Sequence, residues 1–220
     1  MRPRAIALDG PVASGKSAVG RDLAAAFGYA FLDTGLMYRA VTLLALQRGL
    51  PAGDERALAD LAASARLDVV PGSGGTRIIA DGVDLTDDLR RPEVDAAVSQ
   101  VSRVAGVRER MVEQQRQIAD QTPIVMVGRD IGTVVLPDAD LKVYLLASVA
   151  ERARRRHSEN SETGDTRSVE EIAAALAERD RLDETRAVSP LRPAPDAVLV
   201  DTEGKSVEEV VDLIRSLAKR

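Results

Sequence analysis

The feature that most constrains this chain is a stretch near its start, Gly10-Pro11-Val12-Ala13-Ser14-Gly15-Lys16-Ser17, which fits G-x-x-x-x-G-K-[ST] in full. Residues 5–9 before it are apolar up to Asp9, and Val19, Leu23 and Phe27 recur every four residues after it. That spacing predicts a strand running into a glycine turn that opens an amphipathic helix. Glycines let backbone N–H groups converge on phosphate oxygens without a Cβ in the way. The helix N-terminus adds its dipole. In such a cradle Lys16 is expected to reach the β- and γ-phosphates of a nucleoside triphosphate, with the Ser17 hydroxyl on Mg2+. The loop from Gly10 to Ser17, with Ala18 following, is therefore the expected triphosphate site. A chance glycine turn is the bland alternative, and the flanking strand and helix argue against it.

The rest of the chain alternates short apolar runs with helical patterns. Residues 30–33, 124–127, 142–147 and 197–201 read as strands, several of them apolar on both faces as buried parallel strands are. Ser168 with Glu171, and Ser206 with Glu209, are two capping boxes that open helices. The last helix carries Val207, Val210, Val211, Ile214 and Leu217 on one face. This β–α order predicts an α/β fold with a doubly wound parallel sheet. Residues 67–85 depart from the rhythm, with short strand-like pieces around Gly72, Gly75 and Gly82, and read as a small antiparallel insert. Residues 87–120 read as helical, broken near Pro92 and Gly106, with Val107, Met111 and Ile118 as their stripe. The polar stretch 158–168, which carries Gly164, is a mobile-loop candidate.

Composition excludes several function classes. There is no cysteine, so neither a disulfide framework nor a thiolate metal site is available. The net charge of -5 and the scarcity of aromatic residues (2%) argue against a nucleic-acid surface. No apolar run approaches a membrane span, and the apolar stretch near the start is too short for a signal peptide, so a cytoplasmic protein is expected. Of 30 basic residues only four are lysine, which leaves 26 arginines.

Some of those arginines stand where strand ends should line a ligand crevice. Asp33, Thr34 and Gly35 end the second strand, with Tyr38 and Arg39 one turn into the next helix; Gly128, Arg129 and Asp130 end the third. Arg179, Asp183 and Arg186 are spaced to share one helix face. Arg39, Arg129, Arg179 and Arg186 are thus candidates to converge on an anion, for which the planar guanidinium is well suited. Each has a plainer reading. The 179–186 triplet suits a solvated salt-bridged face, Arg129-Asp130 a structural ion pair, and Tyr38 a core position. Arg152, Arg154, Arg155 and Arg156 suit a solvated helix face, and the single histidine, His157, an exposed bystander. The shortage of bases is informative, because a phosphate acceptor is already largely dianionic at neutral pH and needs positioning, not deprotonation.

Seven segments in order resemble the bacterial cytidylate kinases of the nucleoside-monophosphate kinase group. They are Asp9 to Ser17, Leu32 to Arg39, Ser99 to Val101, Val107-Arg108, Gly128 to Val135, Glu178 to Asp183 and Arg186 to Leu191. The resemblance runs over essentially the whole length. It implies a five-stranded parallel core (about 1–64 and 106–220), a CMP-binding insert at about 65–105 and a short lid at about 152–168. It implies ATP and CMP, with dCMP, as substrates and Mg2+ as the ion; no nucleic-acid or membrane partner and a monomer are expected. Lys16, Arg129, Arg179 and Arg186 would be catalytic. Thr34, Arg39, Arg129, Arg179 and Arg186 would hold the acceptor phosphate, with Asp33 and Tyr38 on the same side. Ser99, Arg108 and Asp130 would read cytosine, and Asp183 would meet the ribose. Arg152 and Arg156 are candidates for the ATP side. Thr34 stands where relatives commonly have serine, and the hydroxyl is kept. The base chemistry agrees, since the cytosine N4 amino group donates and a carboxylate accepts, while N3 and O2 suit an arginine.

Two other classes fit less well. A regulatory GTPase would be expected to carry N-K-x-D, and the single asparagine, Asn160, is followed by serine. A mechanical ATPase would be expected to end the 124–127 run directly with an aspartate, and the glycines around 72–75 lack the flanks of a signature loop. Kinases for UMP, AMP or a non-nucleotide acceptor share the fold and remain open.

Overall fold

The architecture follows from strands that are apolar on both faces. In a computed structural model, which describes residues 2–72, 75–161 and 166–219, the central strand β1 (Ala5–Asp9) is buried almost throughout. It leads through the glycine loop into α1 (Lys16–Phe27), β2 (Ala30–Asp33) and α2 (Thr34–Gln47). Then come α3 (Glu55–Ser64), β3 (Leu67–Val70), β4 (Arg77–Ala80), β5 (Val83–Asp84), a 3-10 turn at Thr86–Arg90, α4 (Pro92–Val101) and α5 (Ala105–Gln121). The chain returns as β6 (Ile124–Gly128), a π turn at Ile131–Val135, β7 (Leu141–Leu146), α6 (Val149–Ser161), α7 (Val169–Thr185), β8 (Val198–Asp201) and α8 (Val207–Leu217).

Five strands form one sheet in the order β2-β6-β1-β7-β8. All pairs are parallel, with Ile6 opposite Val125 on one side and Leu141 on the other. Helices cover both faces. Val19 and Leu23 of α1 and Val210 and Ile214 of α8 pack on Leu8, Val125 and Val143. Met37 and Val41 of α2 and Met111 of α5 pack with Met126 on the other face. Both expected capping boxes form, at Ser168/Glu171 and Ser206/Glu209. Strand order reverses beside β1, so the C-terminal ends of β1, β2 and β6 open into one crevice.

The insert forms a separate antiparallel sheet, β3-β4-β5. Some local expectations differ. The break in the helical stretch falls at Ser102–Arg103, before Val104 caps α5, and Gly106 lies inside the helix. A Cβ there would come within 2.6 Å of Ala59 Cβ, so Gly106 is a point of close approach between α5 and α3. Strand β7 begins at Leu141 and stops at Leu146, one residue short of Ala147, and Arg186 caps α7 in an extended conformation beyond its last turn. Residues 162–165, which include Gly164 of the candidate mobile stretch, lie outside the described residues, as do Ser73 and Gly74.

Candidate active site

The loop between β1 and α1 shows why its glycines are there. Gly10 has φ 150°, and a Cβ on it would lie 2.6 Å from the Leu145 carbonyl oxygen. Gly15 caps α1 with φ 86°. Lys16, the first helical residue, is buried, and its Nζ donates to the Pro11 carbonyl and, at 3.3 Å, to Ser14 Oγ. Burial, then the neighbouring Arg129 charge, pushes its pKa well below the usual lysine value. Such an ammonium gains from a triphosphate oxygen placed beside it. Ser17 donates 2.6 Å to Asp33 Oδ2, while Asp33 Oδ1 accepts from the Gly35 N–H as the cap of α2. Asp9, the last residue of β1, ties that strand end to the turn after β6, accepting at 2.8 Å from the N–H groups of Ile131 and Gly132. Burial raises its pKa to about 6 in spite of those donors.

The crevice beyond the loop is strongly positive. Among the described residues, eight basic side chains and four carboxylates line it, four net positive charges in a chain of net charge -5. Its arginines come from α2, the 3-10 turn, α5, α6, α7, the end of β6 and the cap of α7, and all but Arg90 meet aspartates. Arg129 Nε donates 2.9 Å to Asp183, whose pKa burial would raise but Arg129, Arg186 and Arg179 hold below the usual carboxylate value. Arg186 lies 3.9 Å from Asp183 and 3.5 Å from Asp130. Arg108 pairs with Asp130 in a buried contact, its guanidinium 5.3 Å from the centre of the Tyr38 ring. Burial pushes the Tyr38 hydroxyl up to about 12. Arg39, Arg156 and Arg179 gather on Asp95. Burial, then the charges of Arg129 and Arg39, lowers Arg179 to about 10.

Polar groups in this region lack partners. Among the described residues, Tyr38 Oη, Arg108 Nε and Arg179 Nε are buried with no hydrogen bond, and Arg186 Nη2 has Asp130 no nearer than 3.5 Å. Buried donors left in this state cost about 1–3 kcal/mol each, and an anionic ligand would relieve the arginines. The plainer readings of Arg179, Asp183, Arg186, Arg129 and Asp130 are solvated or local pairs, whereas here they form one cross-chain network facing a cleft.

Most expected site residues line that cleft, including Lys16, Ser17, Thr34, Arg39, Ser99, Arg108, Arg129, Asp130, Arg179, Asp183 and Arg186. Arg156 does too. Thr34 points its proton at the Val127 carbonyl, 2.9 Å away, which leaves the hydroxyl to accept. Arg152 is not on the wall. It is buried behind the loop, donating 2.6 Å to Asp180 and 3.1 Å to the Val12 carbonyl. Of that arginine group only Arg154 is exposed. Arg155 reaches Thr202 and stands beside Gly15. His157 is half-buried, not exposed, with Nδ1 3.1 Å from the Arg167 carbonyl. Sequence reasoning missed Asp95, although it lies one turn before Ser99 on the same helical face.

Comparison with known proteins adds what geometry leaves open. The family model described as Cytidylate kinase matches residues 6–220. A cytidylate kinase of Limosilactobacillus reuteri (strain DSM 20016) is 47% identical over 216 residues, 98% of this chain and 95% of that one. One from Geobacillus kaustophilus (strain HTA426) is 47% identical over 212 residues, 96% and 95% of the two chains. A bifunctional pantoate ligase/cytidylate kinase of Synechococcus sp. (strain JA-3-3Ab) is 50% identical over 218 residues, 98% of this chain but 40% of that one. Among solved structures, shikimate kinase from Bacteroides thetaiotaomicron superposes with a TM-score of 0.51 at 10% identity, covering 98% of each chain, a likeness of fold alone. With a full-length family match and relatives near half identity, the chain belongs to the cytidylate kinase family.

Proposed function

We propose that this protein transfers the γ-phosphoryl group of ATP to CMP, and to dCMP, giving CDP or dCDP and ADP. The observation that carries it is the layout of one cleft. Lys16 and residues of the glycine loop, the buried Arg108–Asp130 pair, and Arg39, Arg129, Arg179 and Arg186 all line it together. In this reading a phosphate oxygen of CMP attacks the γ-phosphorus. The bond from that phosphorus to the β–γ bridging oxygen breaks, and ADP leaves with the electron pair. No proton need be removed, because the acceptor phosphate is mostly dianionic at neutral pH. Catalysis then rests on alignment and on neutralising charge spread over the transferred group, which Lys16, Arg129, Arg179 and Arg186 supply.

Arg39 and Thr34 flank the acceptor phosphate, and Asp183 meets the ribose. Asp130, Arg108 and Ser99 read cytosine: the carboxylate accepts from N4, and the guanidinium donates to N3 and O2. Arg152 acts indirectly by bracing the loop through the Val12 carbonyl, and Arg156 stays on the ATP side. The oxygens beside the loop fit Mg2+, since Ser17 is already oriented by Asp33. Bound with ATP, the ion would offset β- and γ-phosphate charge, with Ser17 as its protein ligand. The small sheet with α4 serves as the acceptor-binding insert, about 65–105, and about 152–168 as the lid. The reading is of a monomer, working in the cytoplasm where ATP and CMP are available. Among the described residues, no helix is long and apolar enough to cross a membrane. The test is ADP formation with CMP, dCMP, UMP, AMP and shikimate as acceptors. CMP and dCMP should lead by at least tenfold in kcat/KM, and a lead by another acceptor would overturn the assignment.

A further inference from the structure

Asp95 occupies an unusual position for an acid. It sits on α4, in the insert, yet three arginines from three other elements close on its carboxylate. Arg39 of α2 pairs with Oδ1, Arg156 of α6 donates 3.1 Å to Oδ2, and Arg179 of α7 stands 3.8 Å from Oδ1. Two of these, Arg39 and Arg179, are among the residues assigned above to the acceptor phosphate, and Arg156 lines the same cleft. Arg39 is anchored independently, donating 2.9 Å to the Leu89 carbonyl, so it does not need Asp95 to hold its place. Arg179 Nε is still buried and unpartnered, so one carboxylate does not satisfy the group. Burial works against the Asp95 charge, and Arg39, Arg156 and Arg179 outweigh it, leaving its pKa lowered.

A carboxylate gripped by converging guanidinium groups has the chemistry of a bound phosphate, with fewer oxygens and less charge. We infer that the Asp95 carboxylate is an internal occupant of the acceptor-phosphate site, which the phosphate of an incoming nucleotide must displace. This rests on the assignment of Arg39 and Arg179 to the acceptor. Without an acceptor the arginines repel one another, and Asp95 screens them while tying α4 to α2, α6 and α7. A phosphate dianion carries twice the charge at neutral pH and can fill the orphaned Arg179 donor as well, so it wins the exchange. Displacement must still break the Asp95 contacts, and that loss appears as weaker acceptor affinity than the arginines alone would give. Asp95 is therefore a residue that sets the acceptor KM and not kcat.

The test replaces Asp95 by Ala and by Asn, and reads three quantities beside wild type. Inorganic sulfate serves as the probe, measured as a competitive inhibitor against CMP. Both variants should bind sulfate more tightly and lower the KM for CMP, by roughly three- to tenfold, with kcat within about threefold. Their melting temperature should fall in low-salt buffer and recover more steeply with added sulfate than wild type does. If sulfate affinity and KM are unchanged or weaker while the variants fold, Asp95 merely orders the arginines and the inference is overturned. Asp95→Asn keeps the size of the side chain should Asp95→Ala not fold. A wild-type measurement is independent of either variant. The Asp95 carboxyl, followed by 13C NMR, should titrate at higher pH once sulfate is added and its arginine partners turn away, and an unmoved titration contradicts displacement. Failure of the functional reading looks different, since wild-type protein would then form no ADP in response to CMP, whatever the sulfate results.

Discussion

Replacing Asp130 by Asn separates two roles that the geometry allows this carboxylate. Its Oδ2 accepts from Arg108 in a contact where the two side chains are 6% and 3% exposed, and its Oδ1 lies 3.5 Å from Arg186. An ionised carboxylate offers about four lone-pair sites, so acceptor capacity remains for the N4 amino group of cytosine. Asn keeps the shape and one acceptor oxygen but removes the charge and turns the other position into a donor. Losing a charged hydrogen bond in a buried site costs about 1–3 kcal/mol, which in a domain of this size lowers the melting temperature by roughly 2–12 °C. The new NH2 group opposes cytosine N4–H and suits uracil O4. The kcat/KM ratio of CMP to UMP should therefore fall by about 10–200-fold, the equivalent of about 1–3 kcal/mol. Steady-state ADP formation with each acceptor at 25 °C, well below the variant's melting point, gives both constants. A variant that loses CMP and UMP activity equally, with the ratio unmoved, would show that Asp130 orients Arg108 and does not read the base.

Two further outcomes follow from the buried charges. Arg152→Ala strips the buried Asp180 carboxylate of its guanidinium and the Val12 carbonyl of a donor, so stability should drop by about 3–5 kcal/mol. At a temperature where it stays folded, its KM for ATP should rise while its CMP/UMP ratio holds; a rise in KM for CMP alone would contradict a role behind the loop. Asp183 is held below its ordinary value of 3.8, because its arginine partners outweigh burial. A depressed carboxyl stabilises the fold above the unfolded pKa, and the contribution disappears as pH falls through the folded value. The melting-temperature deficit of Asp183→Asn should thus be full at pH 6–7 and close only as pH falls past the ordinary value of 3.8 and through the lower folded one; a deficit that grows toward acid would reverse the sign.

Local and periodic signals are legible in the amino-acid order itself. Strands apolar on both faces announce a buried parallel sheet, and Ser168/Glu171 and Ser206/Glu209 mark helix starts that form as expected. The glycine loop is readable because its spacing is a backbone requirement, visible in Gly10 against the Leu145 carbonyl. Arg39, Arg129, Arg179 and Arg186 are readable as residues that meet, since strand ends and helix faces fix where side chains converge. What stays hidden depends on partners distant in sequence. Nothing near Arg152 announces that Asp180 will bury it, and nothing near Asp95 shows that arginines 56, 61 and 84 positions away close on it. Gly106 reads as a breaker because a glycine weakens a helix, but contact with Ala59 overrides that preference. Arg186 reads as helical from its spacing, yet α7 ends at Thr185 and the side chain reaches the cleft from an extended cap.

The central claim is that one cleft joins a triphosphate loop to a cytosine site through a bridge of arginines. It is tested most directly by ADP formation from ATP and Mg2+ with and without CMP, in wild type and in Lys16→Ala, alongside CMP binding to each by calorimetry. Wild type should turn over only when CMP is present. Lys16→Ala should remain folded and bind CMP within about threefold of wild type, yet lose turnover by several orders of magnitude, because the lysine stabilises the transferred charge and not the acceptor. Near wild-type turnover in the folded variant, or ADP formation by wild type that CMP does not accelerate, would contradict the account.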